Sequence, residues 1–357
     1  MPEIISVSKV VLPYRPSQNE LKEFARATFS DTFEDIERLL ESFDNAKIDT
    51  RNCCVPVEYF YSQKTFEEKN KLYVKTCLKF SIQAIEECLE ESGINKDEIT
   101  DIIFISTTGL STPSIDAMIV NEMKLHPNIN RMPVWGLGCA GGVAGIAKAN
   151  AIAKSNPEAM VLLVAAELCS LTFIRNDVSK SNFIATGLFS DGISAVLIKG
   201  DDYDHSTKNK FSIKIIDSRS KLYYDSLDVM GWDILNEGFK VVFSKDIPSI
   251  VNKNVRDDIV SFLEKHDLVI DDVKNYIAHP GGVKVMDAYV EALDIDPGLL
   301  KNSKKILRDY GNMSSATVLY VLDTFVKNGF EEGYGLMISL GPGFSSEMAL
   351  LQLTVNS

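Results

Sequence analysis

One cysteine stands apart from the other five in this chain of 357 residues. Cys139 lies in WGLGCAGGVAG, residues 135–145, between a short apolar run and a stretch of Gly, Ala and Val. A cysteine that only fills a core packs as a small hydrophobe among larger ones. Flanking glycines instead permit a sharp turn and let another group approach the backbone. The letters after Cys139 read as a helix, and a helix N-terminus offers unpaired N–H groups and the positive end of the macrodipole. A thiolate is favoured in that setting. Cys139 is therefore a candidate nucleophile, the other reading being a buried thiol beside a packing-driven glycine run.

A thiol nucleophile needs a base, and the chain has only four histidines, at positions 126, 205, 266 and 279. His126 precedes Pro127 in a polar loop, His205 lies in a charged stretch, and His266 closes an exposed helix, so these read as solvated. His279 follows apolar NYIA and precedes PGG, which places it at a strand end where loops build sites. Asn312, in DYGNMSSAT, sits between a glycine and a Ser/Ala-rich helix. A carboxamide there either donates to a developing oxyanion without titrating or caps the helix.

The elements that must bring these residues together follow from hydrophobic periodicity. Residues 17–43 show helical spacing, as do 66–92, where Tyr73, Cys77, Phe80, Ala84 and Cys88 form one stripe ahead of Gly93. DIIFIS (101–106) and AMVLLVAAE (159–167) read as buried strands. The order strand–turn, helix, Cys139 at a small-residue helix, two strands is matched by strand–turn at 275–282, helix, Asn312 at a second such helix, two strands. That order predicts a duplicated α/β unit with halves 1–200 and 211–357, joined through the polar stretch 201–210.

Bulk composition bounds the function. A formal net charge of −13 argues against nucleic acid as the main partner. Six cysteines without regular spacing suggest neither a disulfide framework nor a zinc site. The N-terminal stretch lacks a basic-then-apolar leader pattern and no run reaches membrane-spanning length, so a cytoplasmic protein with reduced thiols is expected. GCAGGVAG lacks the GK[ST] ending of a phosphate loop, and no acidic residue follows at dinucleotide-binding distance.

Taken together, GLGCAGG, GLFSDG, IAHPGG, YGNMSSA and SLGPG, in that order along nearly the whole chain, resemble the type III polyketide synthases. These form the chalcone synthase-like branch of the thiolase superfamily. The resemblance implies a duplicated five-layered αβαβα thiolase fold, a homodimer, and a Cys139–His279–Asn312 triad. It further implies CoA thioesters as substrates, with no cofactor: an acyl-CoA starter loaded on Cys139, then decarboxylative condensation with malonyl-CoA. Phe189 of GLFSDG matches a gatekeeper phenylalanine. Thr107, Thr112, Cys169, Thr172, Leu340 and Gly341 match cavity or loop positions, with Thr112 expected to reach the partner subunit's cavity. Cys169 stands where threonine is usual and Leu340 where phenylalanine is usual, so a fatty acyl starter and an alkylpyrone or alkylresorcinol product are expected rather than a flavonoid. Arg51, Lys47 and Gly281 are the candidates for gripping CoA, through a loose match to a basic stretch. Glu167 in AAELCSLTF resembles a buried structural glutamate of the family. A single condensation of the ketoacyl synthase III kind, and a non-catalytic thiolase-fold thiol or binding protein, remain the alternatives.

Overall fold

The structure, a computed structural model, describes residues 1–203, 211–244 and 247–355. His205 and most of the expected joining stretch 201–210 lie outside the described residues. In chain order the first half comprises β1 (Glu3–Val10), α1 (Gln18–Phe29), α2 (Ile36–Asn45), α3 (Phe66–Ser92), β2 (Asp101–Ile105), α4 (Ile115–Met123), β3 (Asn130–Val134), α5 (Gly141–Ser155), β4 (Met160–Leu168), α6 (Lys180–Leu188) and β5 (Asp191–Lys199). The second comprises β6 (Phe211–Leu222), β7 (Met230–Leu235), β8 (Gly238–Phe243), α7 (Ile247–Leu263), β9 (Val273–Ala278), α8 (Val283–Leu293), α9 (Lys301–Tyr310), α10 (Thr317–Asn328), β10 (Gly333–Gly341) and β11 (Ser345–Val355).

Nine strands form one mixed sheet in the order β3-β2-β4-β5-β1-β6-β11-β10-β9. Its two arms repeat one ladder. In the first, β2 is parallel to β4, β4 antiparallel to β5, and β5 antiparallel to β1. In the second, β9 is parallel to β10, β10 antiparallel to β11, and β11 antiparallel to β6. The duplication inferred from element order is thus present as strand pairing, with β3 the added edge strand. The arms meet where Glu3 and Ile4 pair with Lys214 and Ile213.

Side-chain alternation explains the layers. Val161, Leu163 and Ala165 of β4 face the central apolar cluster, while Leu162, Val164 and Ala166 face a cluster under α3. Leu351 and Leu353 of β11 likewise face the centre, and Leu350 faces a third cluster under α7 and α8. A strand buried on both faces must be apolar at every position, as β2 and β4 are. Between the arms lie α5 and α10, giving helix, sheet, helix, sheet, helix. These inner helices approach closely because Gly142 has no side chain: a Cβ there would stand 2.3 Å from the Ser315 carbonyl oxygen.

The helix expected over 17–43 is two helices. Ser17 caps α1 in a capping box with Glu20, and the Asp35 side chain accepts from the Arg38 N–H to start α2. A polar turn at residues 30–35 folds α2 back onto α1, which a single apolar stripe does not reveal. Among the described residues no helix is long and apolar enough to cross a membrane.

Candidate active site

Each candidate residue stands at the end of a strand or the start of an inner helix. Cys139 occupies a short 3-10 turn, Gly138–Ala140, that leads into the 15-residue α5. His279 directly follows β9, its N–H donating to the Ile338 carbonyl at 2.8 Å. Asn312 follows α9, and its backbone pairs with the Leu188–Ser190 segment around Phe189. All three are buried, with exposures of 8 %, 2 % and 1 %.

The Asn312 carboxamide is fixed at both ends. Its Nδ2 donates to the Gly281 carbonyl at 3.2 Å, and its Oδ1 accepts from the Ser314 N–H at 2.9 Å. Gly281 lies beside the imidazole, with the place of its missing Cβ 3.8 Å from His279 Nε2. Burial pushes the Cys139 thiol up to about 12, and hydrogen bonds from Ser314 and Asn312 only partly offset this. Burial also pulls the His279 imidazole down to about 3. Both His279 ring nitrogens lack a hydrogen-bond partner among the described residues. Burial thus disfavours the charged form of both the Cys139 thiol and the His279 imidazole, opposing the thiolate that the helix end favours.

A buried polar network holds the Cys139 turn from behind. The Gly138 N–H donates to Thr107 Oγ1 at 3.0 Å, and the Thr107 N–H donates to Glu167 Oε2 at 3.0 Å. Thr108 Oγ1 donates to the same Glu167 oxygen at 2.9 Å, and Ser315 Oγ donates to Oε1 at 2.6 Å. Burial raises the Glu167 carboxyl to about 7 against these donors. Gly341 packs on the other side of the turn; a Cβ there would lie 2.5 Å from Ala140 Cβ and 2.6 Å from the Leu137 carbonyl oxygen.

Two small cavities open around the site. One, of about 30 Å³, is lined by Cys139, Ser314, Trp232 and Phe243. The other, of about 60 Å³, is lined by Cys169, Thr172, Phe24, Phe60 and Arg51. Phe189 and Val241 line both, so Phe189 stands between them. Its ring stacks on Phe243 at 5.4 Å and lies 6.1 Å from Trp232. These partners come from the hairpin β7–β8, which sequence reading missed; the alternation in GWDIL and FKVVF about the Gly238 turn is the signal that could have found it.

Several expected positions fall elsewhere. Thr107 lies behind the nucleophile turn, with its hydroxyl engaged by Gly138, and lines neither cavity. Leu340 is packed into the cluster under α7 and α8, because its position in β10 points away from the Cys139 side. Thr112 is exposed. Lys47 is exposed. Arg51 is not: it is 1 % exposed and donates from Nη2 to the Gly187 carbonyl. A guanidinium so enclosed cannot grip CoA phosphates at the surface.

A thiol on a strand–helix turn, a carboxamide donor and a buried imidazole, carried by a duplicated α/β unit, define a thiolase-like acyl-transfer fold. Comparison with known proteins narrows this. The chalcone and stilbene synthase N-terminal domain matches residues 17–202, and the C-terminal domain of the same family matches residues 217–354. The chain therefore belongs to the chalcone and stilbene synthase family, the type III polyketide synthases, which are acyltransferases using CoA thioesters. A chalcone synthase-type protein of Bacillus subtilis (strain 168) is 45% identical over 355 residues, covering 97% of each chain. The 1,3,6,8-tetrahydroxynaphthalene synthase of Streptomyces peucetius subsp. caesius is 32% identical over 351 residues, covering 98% of this chain and 92% of that one. The solved structure of the Streptomyces coelicolor A3(2) enzyme of that name superposes with a TM-score of 0.93 at 28% identity, covering 99% of this chain and 100% of that one.

Proposed function

We propose that this polyketide synthase loads a fatty acyl-CoA on Cys139 and extends it with malonyl-CoA to an alkylpyrone or alkylresorcinol-type product. His279 takes the proton from Sγ as the sulfur attacks the thioester carbonyl. CoA leaves as a thiolate and recovers a proton. Malonyl-CoA then binds and loses its carboxylate as carbon dioxide, the electron pair passing into an enolate. Asn312 Nδ2 and the imidazole donate to the enolate oxygen, whose carbon attacks the acyl-cysteine. The Cys139 sulfur departs as a thiolate and takes up a proton from solvent, leaving a chain two carbons longer on CoA. Transfer back to Cys139 permits another round. These steps use CoA thioesters and no resident cofactor.

The observation that carries this reading is the convergence of Cys139, Asn312 and Ser314 at a cavity closed by Phe189. A neutral imidazole whose two ring nitrogens have no partner among the described residues suits a group that must accept a proton and then donate a hydrogen bond. Phe24, Phe60, Phe173 and Phe239 in the wall beyond Phe189 support an apolar starter chain. A homodimer, in which exposed Thr112 meets the partner's cavity, and residence in the cytoplasm complete the proposal. Lys47 and the Gly281 backbone remain the positions proposed to meet CoA.

The test is incubation of the purified protein with labelled malonyl-CoA and acyl-CoA starters of graded length. Products holding two or more malonyl units on a fatty starter support the reading. One malonyl unit per product would mark a single-condensation enzyme, and no product from any starter would overturn the reading.

A further inference from the structure

Arg51 is a full positive charge in a place that ordinarily excludes one. It follows α2 in an extended segment, with its N–H donating to the Pro16 carbonyl at 3.1 Å. Its aliphatic stem runs past Gly311, where a Cβ would lie 3.2 Å from Arg51 Cγ. The neighbour of that glycine is Asn312. The guanidinium uses one nitrogen, Nη2, to donate to the Gly187 carbonyl at the C-terminal end of α6. The other two, Nε and Nη1, are buried with no partner among the described residues.

Burial lowers the Arg51 pKa to about 9, with no carboxylate offsetting it, so it stays protonated at neutral pH. Buried guanidinium groups are ordinarily paired, because an uncompensated interior charge is costly. This one instead is among the residues that line the cavity beyond Phe189, with Phe24, Phe60, Phe173, Cys53 and Cys169. The Gly187 carbonyl also accepts from the neutral amide of Gln18, Nε2, at 3.4 Å, so capping it does not require a charge. Two free donors of a charged, planar fork fit an oxygen acceptor entering with a ligand. The cavity adjoins the one at Cys139 across Phe189, so a chain attached to Cys139 and passing that ring arrives at Arg51.

We infer that Arg51 is a specificity-determining residue that recognises an oxygen anion or keto oxygen on the chain held beyond Phe189. This rests on the synthase reading given above. Two sources supply that chemistry: the terminal carboxylate of a dicarboxylic starter, or a β-keto oxygen, readily enolised between two carbonyls, introduced by chain extension. A purely alkyl segment offers no partner, so an alkyl starter would engage Arg51 only after extension.

The experiment compares octanoyl-CoA with adipoyl-CoA on wild-type protein, Arg51→Met and Arg51→Lys. It reads acyl loading of Cys139 by intact mass, KM and kcat, and the ratio of longer products to once-extended product. If the starter carboxylate is the ligand, Arg51→Met lowers adipoyl loading about tenfold, leaving octanoyl loading unchanged. If extension oxygens are the ligand, loading of both starters is unchanged and the ratio of longer to once-extended product falls about tenfold. Arg51→Lys shifts the same quantity in the same direction but less, and carries the test should Arg51→Met fail to fold. Equal loss for both starters with an unchanged product ratio, or no change at all, overturns the inference. Wild-type protein that neither loads nor extends any starter would instead overturn the synthase reading.

Discussion

Replacing Glu167 with Gln isolates one buried ionisation behind the nucleophile. The carboxyl accepts from Thr107, Thr108 and Ser315, yet burial lifts its pKa from 4.5 to about 7. The folded state then binds the proton more tightly than the unfolded one. Stability is therefore lost as pH rises through the window between these two values. Integrated between about pH 5.5 and about pH 8.5, the loss is about 2 kcal/mol at 1.36 kcal/mol per unit. Glutamine keeps an acceptor for Thr107 and Thr108 but carries no titrating proton. The assay is urea unfolding of both proteins at the two pH values, which lie above the sequence pI of about 4.9. Titration of His279 and every other group is common to both and drops out of the difference. Glu167→Gln is expected to gain about 2 kcal/mol relative to wild type between the lower and the higher pH. A difference that does not change with pH, or that moves the other way, refutes the placement of Glu167 as an enclosed carboxyl.

Two further outcomes follow from the same site. Gly341→Ala forces a methyl group to within 2.6 Å of the Leu137 carbonyl and against Ala140. It should cost about 1–3 kcal/mol in urea unfolding and lower acyl loading, because the Cys139 turn must shift; full stability would show that the turn has room. His279, held neutral down to about pH 3 by burial, should give acylation rates without an acid limb near pH 6.5. A limb there that persists in Glu167→Gln would show a solvated imidazole.

Much of this arrangement is written in local sequence. β2, β4 and α8 fall within a residue or two of their apolar runs, and the glycine-flanked Cys139 and Asn312 do stand at the starts of the two inner helices. Element order also anticipated the repeated ladder, because each unit must bury the same faces. What local sequence hid were consequences of distant contacts. Arg51 sits in a polar stretch, so it read as exposed; it is enclosed because Gly311 leaves room for its stem and the Gly187 carbonyl accepts from its guanidinium. The β7–β8 hairpin supplies the rings around Phe189 from a segment with no nearby site motif. The burial that raises the Cys139 pKa is likewise absent from local sequence, which reports the helix end but not the depth.

The most direct measurement is intact-protein and peptide mass spectrometry after brief exposure to a fatty acyl-CoA without malonyl-CoA. One acyl group should appear, mapped to Cys139 and absent from Cys139→Ser. Acylation spread over several of the six cysteines, or retained in Cys139→Ser, would contradict Cys139 as the carrier.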